Sequence, residues 1–286
     1  MPVLPKLSPT VSLVLATALV AAVALQACGP RDPSNVGPNA QSPERQSEAE
    51  YDLARDFFYK ANPRAALDHA LRSVELNDDN SKALYFTAAI YLFFCSGPNG
   101  MQSPDCRLQD AEKYARAAVK AESTFRDAKN MLGQVLILRD KPADAIAYLE
   151  PLTRDPAYAE NHLAWGNLGW AQVQLGKLDD GIASLKNSIT QPRFCVGHYR
   201  LGVAYEKKGD LGQADAAFTA ALSVDSPDCQ NLQDAWEGRA RVRTKLGRIA
   251  DARADFEKCR EIAADSQTGK RCSRELAGPG DPGGKR

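Results

Sequence analysis

The sequence has few of the residues on which catalytic and metal sites depend. Its 286 residues include only three histidines, His69, His162 and His198, and their spacing is not that of metal ligands. It contains no glycine-rich phosphate loop, no HExxH pair and no nucleophile elbow. Basic and acidic residues balance at 36 each, without a basic patch for nucleic acid. These absences argue against an enzyme, a cofactor, a metal site, a small-molecule substrate and nucleic-acid binding.

The first 27 residues have the composition of a secretory signal peptide. A weakly cationic start with Lys6 precedes an apolar run over residues 11–24, and Gly29-Pro30 ends the run. A retained membrane span needs about 20 apolar residues with interfacial anchors, so it is the weaker interpretation. An ordinary cleaved signal is the other alternative to the lipoprotein signal described next.

The last four residues of this region, Leu25-Gln26-Ala27-Cys28, resemble the lipobox of bacterial lipoproteins. Gln26 departs from the pattern, which usually has a small residue there. The resemblance implies cleavage before Cys28, diacylation of its thiol with chains such as palmitate, and stable anchoring by several acyl chains. Because Gly29 is not the aspartate that retains many lipoproteins in the inner membrane, the resemblance also implies an outer-membrane protein that faces the periplasm.

Two segments have too few apolar residues to form a core. Residues 29–46 are mostly proline, glycine and polar residues, with Val36 as the only large apolar side chain. They predict that residues 28–46 form the acylated cysteine and a disordered tether. Residues 278–286, GPGDPGGKR, predict a second disordered segment. We therefore expect the folded part between residues 47 and 277.

From residue 47 to about residue 265 the apolar residues recur every three or four positions, which indicates helices of about a dozen residues. Small residues repeat within this region with a spacing that is often 33 or 34 residues, as from Ala54 to Ala88 and from Gly169 to Gly202. A second small residue follows about twelve positions later, and a larger apolar residue such as Leu185 or Phe218 follows four positions after that. A period near 34 predicts a repeated helical hairpin.

This pattern resembles the tetratricopeptide repeat (TPR), most clearly in WGNLGWAQVQLGKLDDGIASLKNS and YRLGVAYEKKGDLGQADAAFTAAL. The resemblance implies an all-α fold, a right-handed superhelical solenoid of about six hairpins. The expected repeats are residues 47–80, 81–125, 126–161, 162–194, 195–232 and 233–266, followed by a capping segment over residues 267–277. The second and sixth units depart from the repeat pattern.

Six cysteines remain once Cys28 is assigned to lipidation, and fifteen pairings of them are possible. In an exported protein they can persist as disulfides. Repeat geometry favours Cys95 with Cys106 at the neck of an insertion, Cys195 with Cys229 at equivalent places in adjacent repeats, and Cys259 with Cys272 across the capping segment. A zinc site is the rival, but the sequence has no CxxC pair.

TPR arrays bind partners through a concave surface built mainly from the first helix of each hairpin. The family's groove-facing offsets select mostly apolar or aromatic residues, and they lack the lysine and asparagine set that clamps a peptide carboxylate. We therefore expect an apolar or amphipathic ligand, unless some of these side chains pack between helices instead. The predicted groove residues are Tyr51, Phe58, Tyr59, Tyr85, Leu92, Phe93, Ile137, Trp170, Val173 and Tyr199.

The combination of lipobox, tether, six TPR units and intramolecular cysteines resembles the PilF/PilW/Tgl family of type IV pilus pilotins, most closely its myxobacterial members. The resemblance implies a non-enzymatic outer-membrane lipoprotein. It would bind secretin subunits (PilQ-like) in its groove and assist their assembly for pilus biogenesis and motility. The alternative is a periplasm-facing TPR scaffold for polysaccharide export or outer-membrane protein assembly, because the fold alone does not identify a partner.

Overall fold

The computed structural model describes residues 42–96 and 100–278, and within these residues the regular structure is entirely helical. The predicted signal peptide, Cys28 and almost all of the predicted tether and C-terminal tail lie outside the described residues. None of the described helices combines the length and the apolar character needed to cross a membrane. The helices are α1 (Pro43–Tyr59), α2 (Pro63–Leu76), α3 (Ser81–Phe94), α4 (Leu108–Ala121), α5 (Arg126–Leu138), α6 (Pro142–Thr153), α7 (Asn161–Gln174), α8 (Leu178–Ser188), α9 (Cys195–Lys208), α10 (Leu211–Leu222), α11 (Pro227–Gln230), α12 (Gln233–Lys245), α13 (Ile249–Ile262) and α14 (Gln267–Ala277).

Six pairs of these helices form consecutive hairpins, namely α1/α2, α3/α4, α5/α6, α7/α8, α9/α10 and α12/α13. Five of the pairs are joined by turns of a few residues, which place the two helices antiparallel. Four of the pairs lie within the predicted repeats, whereas α1 and α7 begin before residues 47 and 162, and α14 lies in the predicted capping segment. The first helix of each hairpin also contacts the first helix of the next, from α1 through to α14. We call the solvent side of this row the first-helix face.

Small residues and large side chains meet where the two helices of a hairpin cross. A Cβ added to Gly169 would lie 2.7 Å from the Leu185 side chain, and one added to Gly202 would lie 2.7 Å from the Phe218 ring. Both Leu185 and Phe218 are fully buried. The small positions therefore let the helices approach closely, and the larger side chain four residues after the second small position fills the space, as the repeat pattern predicts.

The N-terminal boundary differs from the prediction, because residues 43–46 begin α1 instead of belonging to the tether. Proline is well suited to the first turn of a helix, so Pro43 can start one. Fully buried polar contacts then fix the helix: Ser47 Oγ donates to the Ser73 carbonyl oxygen at 2.9 Å, and Asn80 Nδ2 donates to Ser47 Oγ at 2.9 Å. The pattern of apolar residues could not reveal this anchor because all its groups are polar.

The sixth hairpin replaces an apolar contact with an ion pair. Where the fourth and fifth repeats have Leu168 and Leu201, the sixth has Arg239, which binds both carboxylate oxygens of Asp255 at 2.8 and 2.9 Å. Asp255 is 3 % exposed and also accepts a hydrogen bond from Arg243 at 2.8 Å. The sixth unit therefore matches the repeat pattern weakly because an ion pair occupies a position that has an apolar side chain in the fourth and fifth repeats.

Three disulfides pair the six cysteines, and the pairs are those predicted from repeat geometry. Cys95–Cys106 closes the insertion after α3, with the two Cα atoms 4.4 Å apart. Cys195–Cys229 joins α9 to α11, and Cys259–Cys272 joins α13 to the capping helix α14. The last bridge is completely buried, so it fastens the cap to the core of the sixth hairpin.

Candidate functional site

The first-helix face begins with a group of aromatic side chains on α1 and α3. The Phe58 ring lies 5.1 Å from the Phe93 ring and 5.6 Å from the Phe86 ring, both edge to face. Phe86 in turn lies 5.9 Å from Tyr51. Phe93 remains 49 % exposed and Tyr59 80 % exposed, although both are large apolar side chains. We call Tyr51, Phe58, Tyr59, Phe86 and Phe93 the aromatic surface.

Phe86 was not among the predicted groove residues. It lies two positions before the small residue Ala88, outside the offsets carried over from the family. A signal for it exists in the sequence, because Phe86 and Phe93 are seven residues apart and therefore share one side of α3. Two aromatic residues at this spacing, opposite Phe58 on the preceding first helix, could have indicated the cluster.

Two of the predicted groove residues are wrong, because they lie in the core. Ile137 is 4 % exposed and packs among the buried residues of the second and third hairpins. Val173 is 1 % exposed and occupies the space opened by Gly181, where an added Cβ would lie 2.6 Å from it. The fourth position after the small residue therefore faces the core in α5 and α7, not the solvent.

The other predicted groove residues beyond the aromatic surface are only partly buried. Tyr85 packs against Phe125 with ring centroids 5.0 Å apart, and burial raises the pKa of its phenol. Leu92 packs against the core of the second and third hairpins, while Trp170 and Tyr199 border the core around α9. Burial raises the pKa of Tyr199 to about 12. These four residues line the boundary between the first-helix face and the core.

A polar cluster occupies the middle of the first-helix face, on α5, α7 and α9. Asn167 Nδ2 donates to Asn130 Oδ1 at 3.0 Å, and Arg200 Nη1 donates to Asn167 Oδ1 at 2.8 Å. Asn130 and Asn167 are 8 % and 6 % exposed. The Arg200 guanidinium also lies 5.9 Å from the centre of the Trp170 ring. This cluster was not predicted, since its members come from three different repeats.

Beyond the polar cluster, the first-helix face consists of ion pairs between neighbouring repeats. Glu206 on α9 accepts hydrogen bonds from Arg241 at 2.7 and 2.8 Å and from Lys245 at 2.7 Å. Burial opposes ionisation of Glu206, but these hydrogen bonds hold the pKa of its carboxyl below the usual range. Glu237 on α12 similarly accepts two hydrogen bonds from Arg271 on α14, at 2.6 and 2.8 Å. Charge on this part of the face is therefore largely satisfied within the chain.

Residues 107–159, 131–191 and 199–266 match the family model described as tetratricopeptide repeat, and together these spans cover more than half of the chain. The chain belongs to the tetratricopeptide repeat family. In TPR arrays the concave surface serves as an extended binding surface, so the first-helix face is the candidate site for a protein partner. TPR folds are typically protein-interaction domains.

Solved TPR structures share this fold. PilW, described as a widely conserved type IV pilus biogenesis factor, is 21 % identical with a TM-score of 0.64, covering 79 % of this chain and 97 % of PilW. PilF of Pseudomonas aeruginosa is 14 % identical with a TM-score of 0.60, covering 82 % of this chain and all of the PilF chain. A TPR protein from Parabacteroides merdae is 14 % identical with a TM-score of 0.63, covering 91 % and 90 %. No curated protein matches the sequence significantly.

Proposed function

We propose that this protein binds an apolar or amphipathic segment of another protein through the aromatic surface on α1 and α3. The observation that carries the proposal is the exposure of Phe93, whose ring contacts the partly buried ring of Phe58, and of Tyr59, the next residue along α1. Large aromatic side chains are normally buried, and clusters of them on a surface are typical of binding sites. An amphipathic segment would cover these rings and leave its polar side in water.

The proposed partner is a secretin subunit, and the proposed role is assistance in secretin assembly for type IV pilus biogenesis. The sequence resemblance to the pilotin family motivates this proposal, and the shared fold with PilW and PilF supports it. Both structures are less than 25 % identical to this chain, so they support the architecture. The identity of the partner is tested by the experiment below. The closer relation to the myxobacterial members stays a prediction.

The proposed location is the periplasmic side of the outer membrane, with the chain anchored by acyl groups on Cys28. Three disulfides among the described residues support export, because such bonds persist mainly in oxidising compartments. An anchored TPR array would hold a bound subunit close to the membrane and raise its local concentration there. It would also cover the apolar surface of the subunit until assembly.

The decisive experiment is deletion of the gene followed by gel analysis of heat-resistant secretin multimers. We expect the multimers to be lost, together with pili and pilus-dependent motility. Restoration by the full chain but not by a Cys28→Ala variant would support the lipid anchor. Unchanged multimers and normal pili would contradict the pilotin role and favour the alternative, a TPR scaffold for another envelope complex.

Binding through the aromatic surface is tested by co-purification of the secretin with Tyr59→Glu and Phe93→Glu variants. Both side chains are exposed, so the variants should fold, and circular dichroism would verify their helix content. Ile249→Glu is the matched control, since Ile249 is 60 % exposed and lies at the start of α13, a second helix. Equal capture by all three variants would place the binding site elsewhere.

A further inference from the structure

Arg200 is held between α7 and α9 by neutral groups only. Its Nη1 donates to the Asn167 side-chain oxygen at 2.8 Å, and Asn167 is itself fixed by Asn130. The guanidinium lies beside the ring of Trp170, 5.9 Å from its centre. An added Cβ on Gly166 would lie 2.7 Å from the Phe194 ring and 3.6 Å from Nη1, so the glycine makes room for Phe194 and leaves Nη1 at an ordinary contact distance.

Other arginines of the first-helix face and its neighbourhood have carboxylate partners, and Arg200 differs from them. Arg241 binds Glu206, Arg271 binds Glu237, and the buried Arg239 binds Asp255. Within residues 42–96 and 100–278, no carboxylate lies within ion-pair distance of Arg200. In that part of the chain, the Tyr158 hydroxyl is the one buried side-chain polar atom that lacks a hydrogen-bond partner. The Arg200 nitrogens that make no hydrogen bond are therefore not buried, and they are open to solvent.

Arg200 is partly buried, so its charge is only partly compensated and a ligand can complete the arrangement. Transfer of a guanidinium out of water is unfavourable, and a neutral amide compensates less than a carboxylate does. Burial lowers the pKa of Arg200 to about 10, which still leaves it charged at neutral pH. A guanidinium that is partly buried, held in place by an amide and left without a counter-ion is typical of a binding site.

We propose that Arg200 binds an acidic side chain of the protein segment that occupies the first-helix face. Asn167 holds Nη1, so Nε and Nη2 remain for the two oxygens of a carboxylate, a geometry that arginine forms readily. The face continues beyond Arg200 over α12 and α14, so a segment need not end there, which favours an aspartate or glutamate side chain over a chain terminus. This inference rests on the proposed function for the existence of a bound segment, but its chemistry is testable without the secretin.

The direct test is an NMR titration of the full chain with three short probes. The first is acetyl-Leu-Glu-Leu-amide, the second acetyl-Leu-Gln-Leu-amide, and the third acetyl-Leu-Gln-Leu with a free terminal carboxylate. The Arg200 Nε–H and Trp170 indole resonances are assigned from Arg200→Gln and Trp170→Phe variants. We expect saturable shifts with the glutamate probe and at least a tenfold weaker response to the other two. Equal responses to the glutamate and glutamine probes would overturn the proposal, and a preference for the free terminus would overturn the choice of an acidic side chain.

Matched variants separate this role from a structural one. Arg200→Gln should abolish the response to the glutamate probe, whereas Arg241→Gln should retain it, because Arg241 is already paired with Glu206. Arg200→Gln should leave the melting temperature unchanged or raise it, and Arg241→Gln should lower it. A melting temperature lowered as much by Arg200→Gln would make the guanidinium a structural group and overturn the proposal. If the chain binds the glutamate probe normally but fails to capture the secretin, the result supports the Arg200 site. It then contradicts only the proposal that the partner is a secretin.

Discussion

The two ends of the first-helix face are built on the same scaffold, but their side chains make different kinds of contact. On α1 and α3, the rings of Tyr51, Phe58, Phe86 and Phe93 contact one another, and Phe93 and the neighbouring Tyr59 remain exposed. On α9, α12 and α14, carboxylates and guanidinium groups of successive helices pair with each other. The first end has apolar surface that only a partner can remove from water, whereas the second end is largely complete by itself.

This difference shows that position in a repeat does not decide what a residue does. Residues five positions after the small residue include Tyr59 and Phe93 at one end and Lys245 at the other. Aromatic side chains supply binding energy through desolvation of large rigid surfaces. Ion pairs near the surface supply little stability but discriminate strongly against wrong contacts. We therefore expect the N-terminal end to dominate affinity and the C-terminal end to limit which segments fit.

The largest effect should come from breaking the ion pair in the sixth hairpin. Arg239→Met leaves the buried Asp255 without its bidentate partner and should lower the free energy of unfolding by about 3–5 kcal/mol. Leu53→Ala is the matched change in the first hairpin, and it should cost much less because Leu53 is 44 % exposed. Chemical denaturation measures the free energy of unfolding of both variants. Equal losses would contradict the expected difference between the first and sixth hairpins. The double variant Arg239→Met/Asp255→Leu should recover most of the loss.

Removal of the disulfides should also affect the two ends unequally. The Cys195–Cys229 bridge closes 34 residues and the Cys95–Cys106 bridge 11. The loop-entropy relation then gives about 4 and about 3 kcal/mol of stabilisation, respectively. Paired cysteine-to-alanine variants, compared by denaturation under non-reducing conditions, check the order. A larger loss from the shorter loop would mean that native packing around the insertion, and not chain entropy, determines the effect.

Affinity for the partner should fall by a smaller free energy, and more at the aromatic end than at the ion-paired end. Phe93→Glu places a charge where an apolar contact is expected and should weaken binding about 30-fold, which corresponds to about 2 kcal/mol. Lys207→Glu, an exposed change on α9, should alter affinity by less than about threefold. Isothermal titration calorimetry with the purified secretin compares them. A greater loss of affinity from Lys207→Glu would contradict the expectation that the N-terminal end dominates affinity.

The smallest effect is a pH dependence at the ion-paired end. The pKa of Glu206 is lowered in the folded chain, so its ion pairs stabilise the fold above the unfolded pKa and are lost as pH falls through the folded value. Glu206→Gln should cost about 1 kcal/mol at pH 7 and progressively less below about pH 4. Thermal melts of both chains across this range provide the measurement. A constant difference between them would show that the charge of Glu206 is not responsible.

Much of this architecture could be predicted because it depends on local or periodic information. The spacing of Ala54, Ala88, Gly169 and Gly202 identifies the hairpin, and each small residue requires a large one at a fixed distance. The disulfide pairs follow from the same register, since Cys195 and Cys229 lie at equivalent places in adjacent repeats. Of the aromatic surface, four residues were selected from the sequence and Phe86 was not. Its role depends on a contact between two hairpins.

What the sequence by itself determined is therefore the repeat: which residues form helices, where the helices cross, and which cysteines meet. Only the tertiary structure decided which side chains remain accessible, because that depends on how successive hairpins rotate against each other. It buried Ile137 and Val173, exposed Phe93, and brought Asn130, Asn167 and Arg200 together from three repeats. A periodic pattern specifies contacts within and between neighbouring units, whereas the desolvation of a particular group is a sum over everything that surrounds it.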